Sequence, residues 1–312
     1  TPLYSSAASD VYKRQIFDSL LFWKYDILFS YFYRYSFFAA LLAKCFGKKT
    51  YFTGGIDSLD SDYASAFNYK IQALFFKLCY WVADSCIIVS QSDLKNIFKV
   101  SSLKKKLSYS EHVINTKLFI ADVPKEKIFT SIVWMGDEGN VVRKGVDKAL
   151  QIFAELKKIP EFVDYRFVII GRKGEGEVLV RSIIDKYNLK GSVELKGEVS
   201  EEDKINLLKQ SKYYFQLSLY EGFGLAALEA LCANNIIIHS GKGGLANPIY
   251  KEQLLFDIDN DFDSELLKLV NKLACFTPIT SYDNLLEYYD IQRRKDDFEA
   301  IIVNGKSNYK LK

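Results

Sequence analysis

From about residue 128 the chain alternates short apolar runs with amphipathic stretches. Ile128–Gly136 is an apolar, β-branched run and predicts a strand. Val146–Ile159 carries apolar positions at helical spacing and stops at Pro160, which cannot continue a helix. Arg166–Gly171 (RFVIIG) predicts a buried strand, Glu177–Asn188 a helix and Val193–Gly197 a short strand. Ser200, with Asp203 three positions on, is a variant of the capping box and marks another helix start. Tyr213–Leu219 then predicts a strand, Phe223–Ala233 a helix and Ile236–Ser240 a strand. This rhythm specifies a parallel sheet covered on both faces by helices.

The first half alternates more loosely. Asp26–Phe29, Thr50–Thr53 and Cys86–Ser90 predict strands, and Tyr35–Phe46 and Tyr63–Val82 predict helices, so a second, smaller α/β unit fits. Ala121–Lys127, with Pro124 and a run of charges, breaks the pattern and serves as the linker. Two helices, near Asp263–Cys275 and Tyr282–Val303, close the chain. The stretch SSAASDVYKRQ (5–15) joins no hydrophobic period, and there is no initiating Met. It resembles the translation of a sequencing-adapter remnant. The expected organisation is therefore a foreign segment at 1–15, a first domain at 16–123 incomplete at its front, and a second domain at 124–280. Residues 281–312 are expected to form a helix that packs back on the first domain.

Composition narrows the classes. At 312 residues and 49% hydrophobic, the chain is long enough for two domains with cores of their own. Lys plus Arg is 42 and Asp plus Glu is 39, and this near balance argues against a nucleic-acid binder. The one dense basic run, Lys104–Lys106, reads as a solvated helix end or loop, or as a contact for anionic lipid headgroups. Five cysteines (45, 79, 86, 232 and 275) form no CxxC pair and read as buried free thiols in a reducing cytoplasm. No uncharged apolar run reaches the roughly 18 residues that span a bilayer. Residues 16–46 are crowded with aromatics (Phe17, Phe22, Trp23, Phe29, Tyr31, Phe32 among them) but are interrupted by Lys24, Asp26 and Arg34. They read as a buried strand plus helix, or as contact with a membrane interface.

Candidate chemistry lies in residues 219–231, LYEGFGLAALEAL. Glu229 is the single charge between Gly222 and Gly241, inside a segment otherwise suited to burial. In a parallel sheet, ligands sit beyond the carboxyl ends of strands, where loops feed helix N-termini. Gly222-Phe223-Gly224 occupies such a place, letting backbone approach a ligand whose negative charge the helix start favours. Leu225, Leu228 and Cys232 are expected on the apolar face of the helix, with Ala226, Ala230 and Ala233 packing closely on the sheet. Glu229 lies six residues past Phe223, roughly 9 Å along a helix axis. That is about the reach from a bound diphosphate to a ribose, whose cis-diol offers two donors to a carboxylate's two oxygens. Two carboxylates beside a diphosphate repel it, by about 4 kcal/mol per unit-charge pair at 4 Å and an effective dielectric of 20. Cations are required, and Arg143-Lys144-Gly145 stands where one is expected.

EGFGLAALE is an E-x7-E pattern and resembles the signature of retaining family-4 glycosyltransferases of the GT-B fold. The resemblance runs from about Ile132 to Gly244, through RFVIIGRKG (166–174), SVELKGEVSEEDK (192–204) and the Ser240–Gly244 loop. Weaker echoes appear in VADSCIIVSQSDLK (82–95) and HVINTKLF (112–119). It implies two Rossmann-like doubly wound domains, the first on the acceptor side. It implies that Glu221 contacts the donor sugar, Glu229 the nucleotide ribose and Lys144 the diphosphate. Gly136, Arg143, Gly222, Phe223, Gly224 and Leu225 complete the expected donor site. The implied reaction moves a sugar from a nucleoside-diphosphate sugar to the hydroxyl of a surface glycan or lipid-linked saccharide, with retention. The donor is a substrate, and no cofactor is implied. No Asp, Glu, His or Cys cluster with ligand spacing lies near the donor loop, so no metal is expected. The implied location is the cytoplasm, with peripheral contact at the inner face of the membrane.

Two departures stand out. An Arg commonly follows the glycine matching Gly136, and this chain has Asp137, leaving Arg143 as a substitute or the leaving group less stabilised. The family often places a His after the strand matching Tyr51–Thr53, where this chain reads Gly54-Gly55-Ile56-Asp57. Asp57 serves either the acceptor or a turn. His112 and His239 read as structural. Asp60-Ser61-Asp62 is a DxD that N-cap chemistry explains better. Asp257, Asp259 and Asp261 have calcium-loop spacing but lack the glycine and the closing glutamate. Gly171, Gly174 and Gly176 read GxxGxG rather than the dinucleotide pattern. A nucleotide-sugar 2-epimerase and a non-catalytic nucleotide-sugar-binding module remain as rival readings.

Overall fold

The computed structural model describes residues 24–31, 33–53, 59, 65–100, 105–120, 123–276 and 283–304. The adapter-like segment, Phe17, Phe22, Trp23, Phe32, Gly54–Asp57, the DxD at 60–62 and Lys104 lie outside them. The chain divides into two compact units. One holds the described residues up to His112 together with those from Arg294 onward, and the other is Val113–Arg293. The division thus falls at His112/Val113 and again within the last helix, whereas the pattern break in the sequence lies at 121–127.

The first unit is a four-stranded parallel sheet in the order β1 (Ile27–Tyr31), β2 (Lys49–Thr53), β3 (Ser85–Ile88), β4 (Leu107–Tyr109). Helices α1 (Tyr33–Cys45), α2 (Ala66–Val82) and α3 (Gln91–Val100) connect the strands. Part of its aromatic content packs inward: Tyr33 stacks on Phe52 at 5.4 Å and Phe29 on Tyr51 at 5.0 Å. His112 is buried against Arg294, 2.6 Å from its Nδ1, and burial followed by that guanidinium lowers its pKa to about 4.

The second unit is a six-stranded parallel sheet, five strands of which fall on the strand segments expected from the sequence. Its strands are β5 (Glu126–Ile132), β6 (Arg166–Ile170), β7 (Val193–Gly197), β8 (Ser211–Gln216), β9 (Ile236–His239) and β10 (Leu254–Leu255). Their order is β10-β9-β8-β5-β6-β7. Helices α4 (Glu138–Arg143), α5 (Val146–Leu156), α6 (Glu177–Lys186), α7 (Glu201–Gln210), α8 (Leu225–Cys232) and α9 (Phe262–Cys275) cover it. Because β6 lies on one side of β5 and β8 on the other, the chain reverses its winding between β5 and β8. In open α/β sheets that reversal opens a crevice at the carboxyl ends of the strands.

Several expectations need correction. Cys45 and Cys275 are exposed, because each ends a helix at the surface, while Cys79, Cys86 and Cys232 are buried. The closing helix is not continuous: α10 (Asp283–Tyr288) and α11 (Ile291–Asn304) are separated where Asp290 bridges Ile114. Leu225, expected on the buried face of α8, is exposed at the first position of that helix. His239, by contrast, is expected to be structural: its ring is buried and accepts from the Gly241 N–H, and burial lowers its pKa to about 4.

Candidate active site

The loops leaving β5 and β8 cross at the reversal point. Leu219 N–H donates to the Arg143 carbonyl at 2.8 Å, tying the two together. Gly145 sits in the crossing with φ +68°, and a Cβ there would lie 2.0 Å from the Leu217 carbonyl oxygen. The crossing therefore admits only glycine, and it fixes where the preceding residue points. That residue is Lys144, whose Nζ lies 2.6 Å from Oε2 of Glu221. Both side chains are mostly shielded, at 21% and 16% exposure. Gln216 Nε2 and Ser218 Oγ also donate to the same oxygen, at 3.1 and 3.2 Å. Gln216 is itself held through its Oε1 by the Tyr214 hydroxyl at 3.1 Å. One carboxylate oxygen thus takes one ammonium and two neutral donors, an arrangement that holds the charge in a single orientation.

The Ser240–Gly244 loop backs this site. Ser240 Oγ donates to the Ser218 carbonyl at 2.6 Å, and a Cβ on Gly243 would sit 2.2 Å from the Glu221 carbonyl oxygen. The 172–176 loop closes the other side: Met135 N–H donates to the Arg172 carbonyl and Glu175 N–H to that of Gly136, at 2.9 and 3.1 Å. Helix α8 begins at Leu225 with Gly224 as its N-cap, so its first free N–H groups lie directly after Glu221–Phe223. The Phe223 ring is buried, 6.2 Å from that of Tyr289, so a ligand could meet its backbone but not its ring.

Residues 139–273 match the family model described as Glycosyl transferases group 1. Over that stretch the chain is similar to the group 1 glycosyltransferases. It is 32% identical over 163 residues to a GDP-mannose:cellobiosyl-diphosphopolyprenol alpha-mannosyltransferase of Xanthomonas oryzae, covering 46% of this chain and 40% of that protein. It is 30% identical over 105 residues to a human phosphatidylinositol N-acetylglucosaminyltransferase chain, covering 34% of this chain and 21% of that one. The matched part thus spans less than half the length of either relative. The Anabaena protein Alr3699/HepE, solved with UDP-glucose, superposes with a TM-score of 0.73 over 97% of this chain and 84% of that one, at 13% identity. The fold is GT-B.

Against that family pattern, Asp137 has a local reason. Its carboxylate caps α4, accepting from Asn140 N–H at 2.6 Å. Asn140 in turn takes the Arg143 guanidinium on its Oδ1, at 2.6 and 3.1 Å from Nη2 and Nε. The Arg143 guanidinium thus faces Asn140 on α4 in this structure, while Lys144 is the cation on Glu221.

Glu229 faces a partner that no local pattern announces. Lys204 Nζ, on α7, lies 2.9 Å from its Oε1 and 2.7 Å from Glu201. Burial raises the Glu229 pKa, and the Lys204 ammonium opposes that rise. Sequence reasoning does not single out Gln216, Ser218 or Lys204. A signal exists for Gln216 alone, a polar residue closing an otherwise buried strand. Among the described residues no group of three His, Cys, Asp or Glu side chains could hold a metal ion.

Proposed function

We propose that the chain transfers a hexose from a nucleoside-diphosphate sugar to an acceptor hydroxyl, with retention at the anomeric carbon and without a metal. The observation that carries this reading is the Lys144–Glu221 pair, held at the winding reversal beside the N-terminus of α8. The diphosphate lies against the Lys144 ammonium and the free N–H groups of α8. The sugar faces Glu221, and the ribose reaches Glu229. The anomeric carbon–oxygen bond to the diphosphate breaks, and a bond to the acceptor oxygen forms on the same face. The acceptor proton leaves with the nucleoside diphosphate, whose growing charge Lys144 stabilises. The two relatives are named for transfers to a diphosphopolyprenol-linked cellobiose and to phosphatidylinositol, which supports a lipid-borne acceptor met at the inner face of the membrane.

A thermal-shift screen with UDP-, GDP- and ADP-sugars tests the donor site, since a ligand that binds only the folded chain raises its melting temperature. One nucleotide series is expected to raise it, and no shift with any series overturns the reading. NMR of the product separates retained transfer from inversion or epimerisation. Turnover is expected to persist in EDTA. A loss that added divalent metal restores would exclude metal independence.

Glu229→Gln is expected to weaken donor binding by about 1.5–3 kcal/mol, because the amide loses charge-assisted acceptance from the ribose diol. Lys204→Met removes the ion pair but keeps the carboxylate, and should change affinity less. Calorimetry giving Glu229→Gln the wild-type affinity would remove the ribose assignment.

A further inference from the structure

We propose that the outer face of α1 and α2 is a seat for an anionic lipid bilayer. It deepens the reading of a lipid-borne acceptor, and its test reads binding rather than transfer, so the two fail separately. Phe67, Leu74 and Trp81 recur every seventh residue along α2 and are 72%, 55% and 72% exposed. Lys70 and Lys77, both exposed, fall between them. At 100° per residue these five side chains share an arc of about 80° and a length of roughly 21 Å. The opposite side of the helix carries Phe76, Cys79, Tyr80 and Val82, all buried on the sheet. Packing therefore accounts for one side of α2 and leaves a second apolar stripe facing out. On α1, which meets α2 through Phe37 and Phe75 with rings 6.2 Å apart, Phe38 is 69% exposed.

Charge selects the occupant. Neither α1 nor α2 contains an acidic residue. Lys106 caps the end of α2, its Nζ 3.2 and 2.8 Å from the Tyr80 and Trp81 carbonyls, and Lys105 beside it is exposed. Asp84, which follows α2 in the chain, is taken by Lys44 at 2.8 Å. A stripe of aromatic and aliphatic side chains flanked by lysines matches the acyl–headgroup boundary of an anionic membrane, where Trp and Phe insert and lysines meet phosphate. A monomer's scattered surface apolars do not align in this way. No helix among the described residues is long and apolar enough to cross a membrane, so this contact lies in the interface plane.

Co-sedimentation of the full chain with vesicles of phosphatidylcholine, alone or doped with phosphatidylglycerol, tests the seat. Binding is expected to the anionic vesicles and to weaken with salt. Leu74→Ser with Trp81→Ser should lower partitioning at least about tenfold. Lys70→Glu with Lys77→Glu should lower it about tenfold on anionic vesicles only. All four sites are exposed, so melting temperatures should hold. Wild-type chain left in the supernatant with both lipids, or double variants that bind like wild type, would overturn the proposal. So would a dimer, seen by analytical ultracentrifugation, that the same variants dissolve.

Discussion

Lys144→Ala is expected to lower turnover by about two to three orders of magnitude, the range for removing one preorganised donor from developing negative charge. Donor affinity should fall by a smaller factor, because the charge on the leaving diphosphate grows toward the transition state. The geometry adds a second loss. Glu221 keeps Gln216 and Ser218 as donors when the ammonium goes, but its charge is then uncompensated in a mostly shielded position. Lys144→Arg should recover part of the activity, since charge survives while the compact geometry does not. Arg143→Ala should be mild in comparison, because the guanidinium is held by Asn140 on α4. Steady-state kinetics on the three variants decide. Wild-type turnover and Michaelis constant in Lys144→Ala would mean that the RKG segment is a charged turn and not a diphosphate site.

Gly145→Ala is expected to destabilise the fold by about 2–5 kcal/mol, adding the cost of a left-handed alanine to that of overpacking. The new methyl would enter at 2.0 Å from the Leu217 carbonyl oxygen, and backbone on both sides must part to admit it. The Leu219–Arg143 hydrogen bond and the position of Lys144 depend on the same crossing. Gly191→Ala is the matched control: its φ is +84°, yet nothing lies within 4 Å, so only the conformational cost of about 1–2 kcal/mol remains. Urea denaturation of the two variants measures the difference. Equal losses would show that the loop crossing tolerates a side chain, and that glycine there is needed for its dihedral alone.

Much of the second unit is legible without coordinates. The runs RFVIIG, VELKG and IIIH and the cap at Ser200 each announce themselves within a few residues, because strand burial and helix capping depend on near neighbours. Element ends blur at Met135 and Leu217, since apolar loop residues beside the crevice continue the strand's hydrophobicity after its hydrogen bonds stop. The short edge strands β4 and β10 and the six-residue α4 carry too few residues to show any period.

By itself, then, the sequence determined an α/β chain with parallel sheets, a glycine-rich helix start and three charged residues, Lys144, Glu221 and Glu229, in an order that suits a donor site. Only the tertiary structure decided who touches whom. It put Lys144 on Glu221 across 77 positions and Lys204 on Glu229 across 25, turned Phe223 inward and Leu225 outward, and assigned Asp137 and Arg143 to a small helix. The reason is physical. Periodicity and capping are set by residues within a turn or two, whereas the partner of a shielded charge is chosen by which loops and helices the sheet order brings together, and no spacing along the chain encodes that order.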